Sequence, residues 1–224
     1  MKLIQKIKET KCFIFDKEPQ VNDSCSVVGN SGCLLNQNYG SKIDSSKDTI
    51  RFNNARIKGF EHLVGSKKTF RVLNCHFILN IENDAYFADQ KRKHPHMERE
   101  MLYTFRNENL IFKTDPSWEL WRKRNILDRV EEHNNVYFID ENFYNLGKKM
   151  TSGKEPTNGF MGLLFALKYY QNIECFGFTF YKGDVEKHYY EKVTQTDQHL
   201  GHSFDSEEKW FKLLENNKII NLNT

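Results

Sequence analysis

A chain of 224 residues buries roughly 70% of the surface its unfolded form would expose, so one sizeable core forms without staples. With 38% hydrophobic, 28% charged and 14% aromatic residues, the composition is that of a soluble globular protein at the polar end of its class. The 33 basic residues are nearly cancelled by 30 acidic ones, leaving a net charge of +3. That balance gives no sign of a nucleic-acid partner, and no run approaches the roughly 18 apolar residues of a transmembrane segment.

In chain order, Met1 to Phe15 carries Lys2, Lys6, Lys8 and Lys11 among Leu3, Ile4, Ile7, Phe13 and Ile14. It lacks the continuous apolar stretch and cleavage site of a signal peptide. It reads as a strand or helix packed on the domain, with a peripheral membrane anchor over residues 1–20 as the alternative. Ser26-Val27-Val28 is a short buried strand that breaks into the small-residue loop Gly29-Asn30-Ser31-Gly32. Taken alone, that loop is as readily a plain turn as a nucleotide-binding loop, being neither G-x-G-x-x-G nor a P-loop.

A second strand runs from Thr49 to Phe52 and ends at Asn53-Asn54, and a third from Thr69 to Leu73 follows Gly65-Ser66. The basic run Lys91-Arg92-Lys93-His94, before Pro95, reads as a solvated loop with no role. Trp118, Leu120, Trp121, Ile126, Leu127 and Val130 recur near helical spacing, and Val136 to Ile139 is the next strand. After a Gly/Lys/Thr/Ser stretch from Gly147 to Lys154, Pro156-Thr157-Asn158-Gly159 precedes the clearest helix, Phe160 to Tyr170. That helix is apolar on nearly all sides and hence buried.

Ile173 to Phe178 is its following strand. Phe204 to Asn216 is a final helix with Trp210, Leu213 and Leu214 on one face and a capping box from Asp205 and Glu208. Strands separated by helices predict a single α/β domain over 1–224 with a mostly parallel central sheet flanked by helices. Its ligand should lie beyond the carboxyl ends of the strands. Cys12, Cys25, Cys33, Cys75 and Cys175 form an odd set without a C-x-x-C pair, which favours a reducing compartment.

Longer patterns carry the chemistry. Cys25 to Gly32 continues through Ile43-Asp44, Ile50-Arg51-Phe52-Asn53 and Gly59-Phe60-Glu61 to Val64-Gly65-Ser66-Lys67-Lys68-Thr69. This resembles the long sialylmotif of the animal-type sialyltransferases, glycosyltransferase family 29. Pro156 to Gly159 with Ala166-Leu167 and Phe176-Gly177-Phe178 is similar to that family's short motif, and His188-Tyr189-Tyr190-Glu191 to its third. His202, followed five residues later by Glu207, resembles its very short motif. The order of all four matches, and the long motif is the most specific.

The resemblance implies a Rossmann-like, GT-A-variant domain that transfers sialic acid from CMP-sialic acid to a hydroxyl of a glycan or glycolipid, with inversion and without a metal ion. Asn30 and Asn53 would bind the CMP part, joined by Ser31, Gly32, Thr157, Asn158, Gly159 and Tyr189. Amide side chains both donate and accept, as nucleotide recognition requires, and Gly159 opens a helix whose free N–H groups favour an anion. His202 would deprotonate the acceptor, and His188 would hydrogen-bond the donor phosphate as charge builds on it. Glu207 either orients His202 or favours its helix N-terminus, with a structural role preferred.

No D-x-D pattern accompanies the nucleotide loop, and no cofactor is expected beyond the CMP-sugar co-substrate. A metal gathered by His188, His199 and His202 is disfavoured, since no carboxylate or cysteine spacing supports it. The family usually links cysteines of its long and short motifs. Here Cys25 matches the first and Tyr170 stands at the second, so that bridge cannot form, and a cytoplasmic enzyme is expected. Two alternatives stay open: a donor that is CMP-Kdo or a CMP-nonulosonate other than CMP-sialic acid, and a CMP-binding module without transfer.

Overall fold

Short apolar runs bounded by glycine and asparagine become the strands of one sheet. The computed structural model describes residues 2–223 except 16, 94–96, 114–123, 184 and 193–200. Its strands are β1 (Ser24–Val28), β2 (Asp48–Phe52), β3 (Phe70–Leu73), β4 (Asn109–Phe112), β5 (Asn135–Phe138), β6 (Asn172–Phe176) and β7 (Asn221–Asn223). They lie in the order β5-β4-β3-β2-β1-β6-β7, and every pairing is parallel. All five residues of β2 are buried, as a strand covered on both faces requires.

The helices are α1 (Lys2–Glu9), α2 (Gly40–Ser45), α3 (Glu61–Val64), α4 (His76–Glu82), α5 (Asp84–Lys93), α6 (Arg124–Glu131), α7 (Glu141–Met150), α8 (Asn158–Tyr169) and α9 (Phe204–Asn216). The central one is α8, whose Phe160, Leu163, Leu164, Phe165 and Leu167 join Val27, Ile50, Phe70 and Val72 of the sheet in the main core. A second cluster packs Phe77, Leu102 and Leu127 against Leu73, Phe112 and Phe138 at the other end of the sheet.

The N-terminal segment is helical and packed on the domain. Ile7 is fully buried, Leu3 and Ile4 pack on the same core, and Lys168 of α8 donates to the carbonyls of Lys8 and Thr10 at 2.7 and 3.0 Å. The apolar side of α1 therefore faces the protein. Among the described residues no helix is long and apolar enough to cross a membrane.

Several boundaries differ from the expectation. Lys91, Arg92 and Lys93 form the last turn of α5 rather than a loop, where their charge complements the helix dipole; His94 and Pro95 lie outside the described residues. Of the predicted Trp118–Val130 helix only the part from Arg124 onward falls within them, as α6, and Trp118, Leu120 and Trp121 do not. The strand expected to reach Phe178 stops at Phe176 because Gly177 turns the chain with φ +71. The capping box of α9 is absent: Ser203 is its N-cap. Asp205 and Glu208 instead pair with Lys182, the first at 3.0 Å.

The five cysteines are free thiols. Tyr170 closes α8 and donates its hydroxyl hydrogen to Asp48 at 3.0 Å. Asp48 also accepts two bonds from Asn22, at 2.8 and 3.0 Å. This hydroxyl ties the end of α8 to β2 in the neighbourhood of Cys25. Because the bond is buried and its acceptor charged, Tyr170→Phe is expected to cost about 1.5–3 kcal/mol in denaturant unfolding. A loss below about 0.5 kcal/mol would show that the bond contributes little.

Candidate active site

The strand order reverses at β1, which has β2 on one side and β6 on the other. In parallel α/β sheets the crevice beyond the carboxyl ends of such neighbours is where ligands bind. The loops leaving β1 and β6 approach closely there. Gly29 N–H donates to the Phe176 carbonyl at 2.7 Å, and a Cβ on Gly29 would stand 2.3 Å from the Gly177 oxygen. Only glycine fits this contact. Beyond it opens a cavity of about 560 Å³, and Asn30, Ser31, Asn53, Thr157, Asn158, Gly159, His188 and His202 all line it.

Three asparagines form one wall. Asn53 lies just past β2 with φ +49, a left-handed turn that asparagine tolerates better than most residues. Its Oδ1 accepts from Asn158 Nδ2 at 2.7 Å and from the Asn74 N–H at 3.3 Å. Asn30 Nδ2 reaches the Phe52 carbonyl and the Tyr190 hydroxyl, each at 3.4 Å. The Oδ1 atoms of Asn30 and Asn158 are buried with no hydrogen-bond partner among the described residues. Buried acceptors without donors are costly, and here they border the cavity, where a ligand hydroxyl or amino group would satisfy them.

The N-terminus of α8 forms another wall. Thr157 is its N-cap, with Oγ1 accepting from the Phe160 N–H at 3.0 Å. Thr157 in turn donates through N–H and Oγ1–H to the two oxygens of Glu207, at 2.8 and 2.7 Å. Glu207 thus holds the Thr157 loop rather than the ring of His202. Burial pushes its carboxyl up to about 7, against the opposing pull of the Thr157 bonds and the Lys113 charge.

The folded-state value lies above the ordinary 4.5, so the folded protein holds this proton more tightly than the unfolded chain. That contribution is complete below the ordinary value and is lost as pH rises through about 7. At roughly 1.4 kcal/mol per unit it amounts to at most about 3–4 kcal/mol. Glu207→Gln should remove this slope: between about pH 5 and pH 8 its melting temperature is expected to improve steadily relative to wild type. A constant difference across that range would contradict the assignment.

Both histidines are oriented by neighbours. His188 Nδ1 lies 3.1 Å from Glu191 Oε1, and its ring stacks on Tyr190 at 5.1 Å. Opposite an ionised carboxylate Nδ1 carries hydrogen, so the imidazolium form also presents an Nε2–H to an anion. His202 Nδ1 lies 2.7 Å from the Glu155 carbonyl oxygen. A carbonyl only accepts, so Nδ1 is the donor and in the neutral ring Nε2 carries the lone pair. That is the tautomer a general base facing the cavity requires.

The sequence profile of glycosyltransferase family 29 (sialyltransferase) matches residues 1–219. The chain belongs to this family. Among the curated relatives, a type 2 lactosamine α-2,3-sialyltransferase of Rattus norvegicus is 27% identical over 88% of this chain and 64% of its own. A β-1,6-galactosyltransferase of Arabidopsis thaliana is 26% identical over 86% of this chain and 51% of its own. The chain thus spans half to two thirds of the length of these relatives. A crystal structure of a mammalian sialyltransferase superposes with a TM-score of 0.62 at 19% identity, covering 99% of this chain and 83% of that one. At that identity the likeness is one of fold.

Two of the residues expected to bind the donor, Gly32 and Tyr189, are not among those that line the cavity. Gly32 packs on the 186 segment, its N–H donating to the Glu186 carbonyl at 2.8 Å. Tyr189 is buried, packs edge-on against Phe60 and donates its hydroxyl hydrogen to the Arg56 carbonyl. Its main chain is the part near the site, since its N–H donates to the Asn30 carbonyl at 2.9 Å. His199 lies outside the described residues. Lys113, Glu155 and Glu207 also line the cavity, and Glu191 supports it from behind. Of these, Glu191 and Glu207 sit inside quoted motifs, whereas Lys113 and Glu155 belong to none.

Proposed function

We propose that the protein transfers sialic acid from CMP-sialic acid to a hydroxyl of a glycan or glycolipid, inverting the anomeric centre without a divalent metal ion. The acceptor oxygen gives its proton to His202 Nε2 and attacks the anomeric carbon. The bond from that carbon to the phosphate oxygen breaks, and CMP departs. His188, held by Glu191, hydrogen-bonds the phosphate as its charge grows, a fixed donor aimed where negative charge develops. The N-terminus of α8 and the amides of Asn30, Asn53 and Asn158 receive the nucleotide.

The observation that carries this reading is the lining of a single cavity at the sheet's switch point by Asn30, Asn53, the Thr157–Gly159 turn and both histidines. A related reading keeps the CMP and changes the sugar to Kdo or to a nonulosonate other than sialic acid. It stays open because the cavity-lining side chains named above are proposed to contact the nucleotide or the acceptor, and none is assigned to the sugar. The test is to incubate the protein with several CMP-sugars and a panel of acceptors, with and without chelator, and to determine the anomeric configuration of each product. Transfer from CMP-sialic acid with inversion in the presence of chelator is expected. Abolition by chelation, or retention of configuration, would contradict the proposal, and CMP binding without transfer or donor hydrolysis would mark a binding module.

A further inference from the structure

We propose that Lys113 is a positioning residue for His202, acting through the main chain of Glu155. The inference rests on the reading of His202 as the base. Lys113 directly follows β4, where its N–H donates to the Leu73 carbonyl at 2.8 Å, so it is anchored to the sheet. Its side chain is only 7% exposed, and Nζ donates to Glu155 Oε1 at 2.7 Å and to the Pro156 carbonyl at 2.9 Å. Glu155 in turn clasps the second loop at two points. Its N–H donates to the Gly201 carbonyl at 3.1 Å, and its own carbonyl accepts from His202 Nδ1 at 2.7 Å.

The chain of contacts runs from sheet to Lys113, from Lys113 to the 155–156 backbone, and from that backbone to the imidazole. A buried ammonium is costly unless it is paired and hydrogen-bonded, and this one is committed to the segment that selects the tautomer of His202. The pairing also sets the local charge. Although burial opposes it, Lys113 holds the Glu155 carboxyl below the usual carboxylate range, with smaller contributions from His202 and His76. Among the described residues, the titratable groups that line the cavity with His202 are Glu155 and Lys113 beside it, Glu207 from α9, His76 from α4, Cys75, Lys93, Tyr181, Lys187 and His188.

Two substitutions pull in opposite directions. Lys113→Met leaves the Glu155 carboxylate without its cation and favours the imidazolium, so His202 should titrate at higher pH. Glu155→Gln keeps the carbonyl, leaves Lys113 without its counter-ion and favours the neutral ring, so His202 should titrate at lower pH. Shifts of about one unit each are expected, read by NMR on the His202 ring protons, with the signals assigned by comparison with His202→Ala. In turnover, Lys113→Met should lower kcat about 10- to 100-fold while the donor KM changes less than about threefold, the pattern of a misplaced group rather than a lost binding contact.

An unmoved titration in both variants, shifts of the same sign, or a wild-type kcat in Lys113→Met would overturn the inference. Should Lys113→Met fail to fold, the Glu155→Gln arm decides alone: a downward shift supports the role, and none or an upward one refutes it. Absence of transfer by the wild-type protein would instead count against the functional reading, because the NMR comparison needs no turnover and still judges the Lys113 contact.

Discussion

His202→Ala is expected to lower kcat by about 10² to 10⁴, the usual contribution of a positioned general base, while leaving CMP affinity within about threefold. The split follows from where the ring sits. His202 touches the Glu155 carbonyl, whereas the cavity-lining amides proposed to receive the nucleotide are held by a separate set of bonds among Asn53, Asn158 and Asn74. Removing the imidazole therefore deletes the proton acceptor and leaves the amide wall intact. Transfer rates and calorimetric CMP binding, measured on the same preparation, check this. Undiminished turnover would remove His202 from the mechanism.

The largest stability effect is expected at the buried pair Arg71–Glu108. Arg71 Nε lies 2.7 Å from Glu108 Oε2, and both side chains are 3% exposed. A second nitrogen donates to the Asn53 carbonyl at 2.7 Å, and the guanidinium lies over the Phe105 ring at 4.5 Å. Glu108→Ala would strand a buried guanidinium, a change that typically costs 3–5 kcal/mol, or about 10 °C in melting temperature for a chain of this size. CMP affinity should fall with it, because Arg71 also braces the carbonyl of Asn53, whose left-handed turn presents an amide to the cavity. Glu108→Gln keeps the shape and an acceptor and should lose less. Thermal unfolding decides the point, and a drop under about 2 °C for Glu108→Ala would contradict it.

How much of this was legible beforehand follows the strength of local signals. β1, β2 and β3 are short runs rich in β-branched and aromatic residues that end at Gly29, Asn53 and Asn74, and α8 is a long, mostly apolar run that follows Pro156, so their positions follow from sequence pattern. β4 carries a signal as strong as theirs, the three consecutive apolar residues Leu110 to Phe112. α5 has no buried residue and hence no apolar stripe to read. α7 did carry a usable signal, since Asp140 caps it and Phe143, Tyr144, Leu146, Gly147 and Met150 fall on its buried side. The residues of the site that lie in motifs were readable for the same reason. Lys113 and Glu155 were not, because they are 42 residues apart and meet only once β4 is placed in the sheet.

The most direct test of the account is a crystal structure of the protein with a CMP-sugar that cannot transfer. The cytidine should lie against Asn30, Asn53 and Asn158, with the phosphate at the N-terminus of α8 and the Nε2 of His188. The acceptor-facing side of the anomeric carbon should open toward His202 Nε2, leaving room for one hydroxyl at the roughly 3–3.5 Å separations of an attack geometry. A nucleotide bound outside this crevice, or one whose anomeric carbon turns away from His202, would contradict the account.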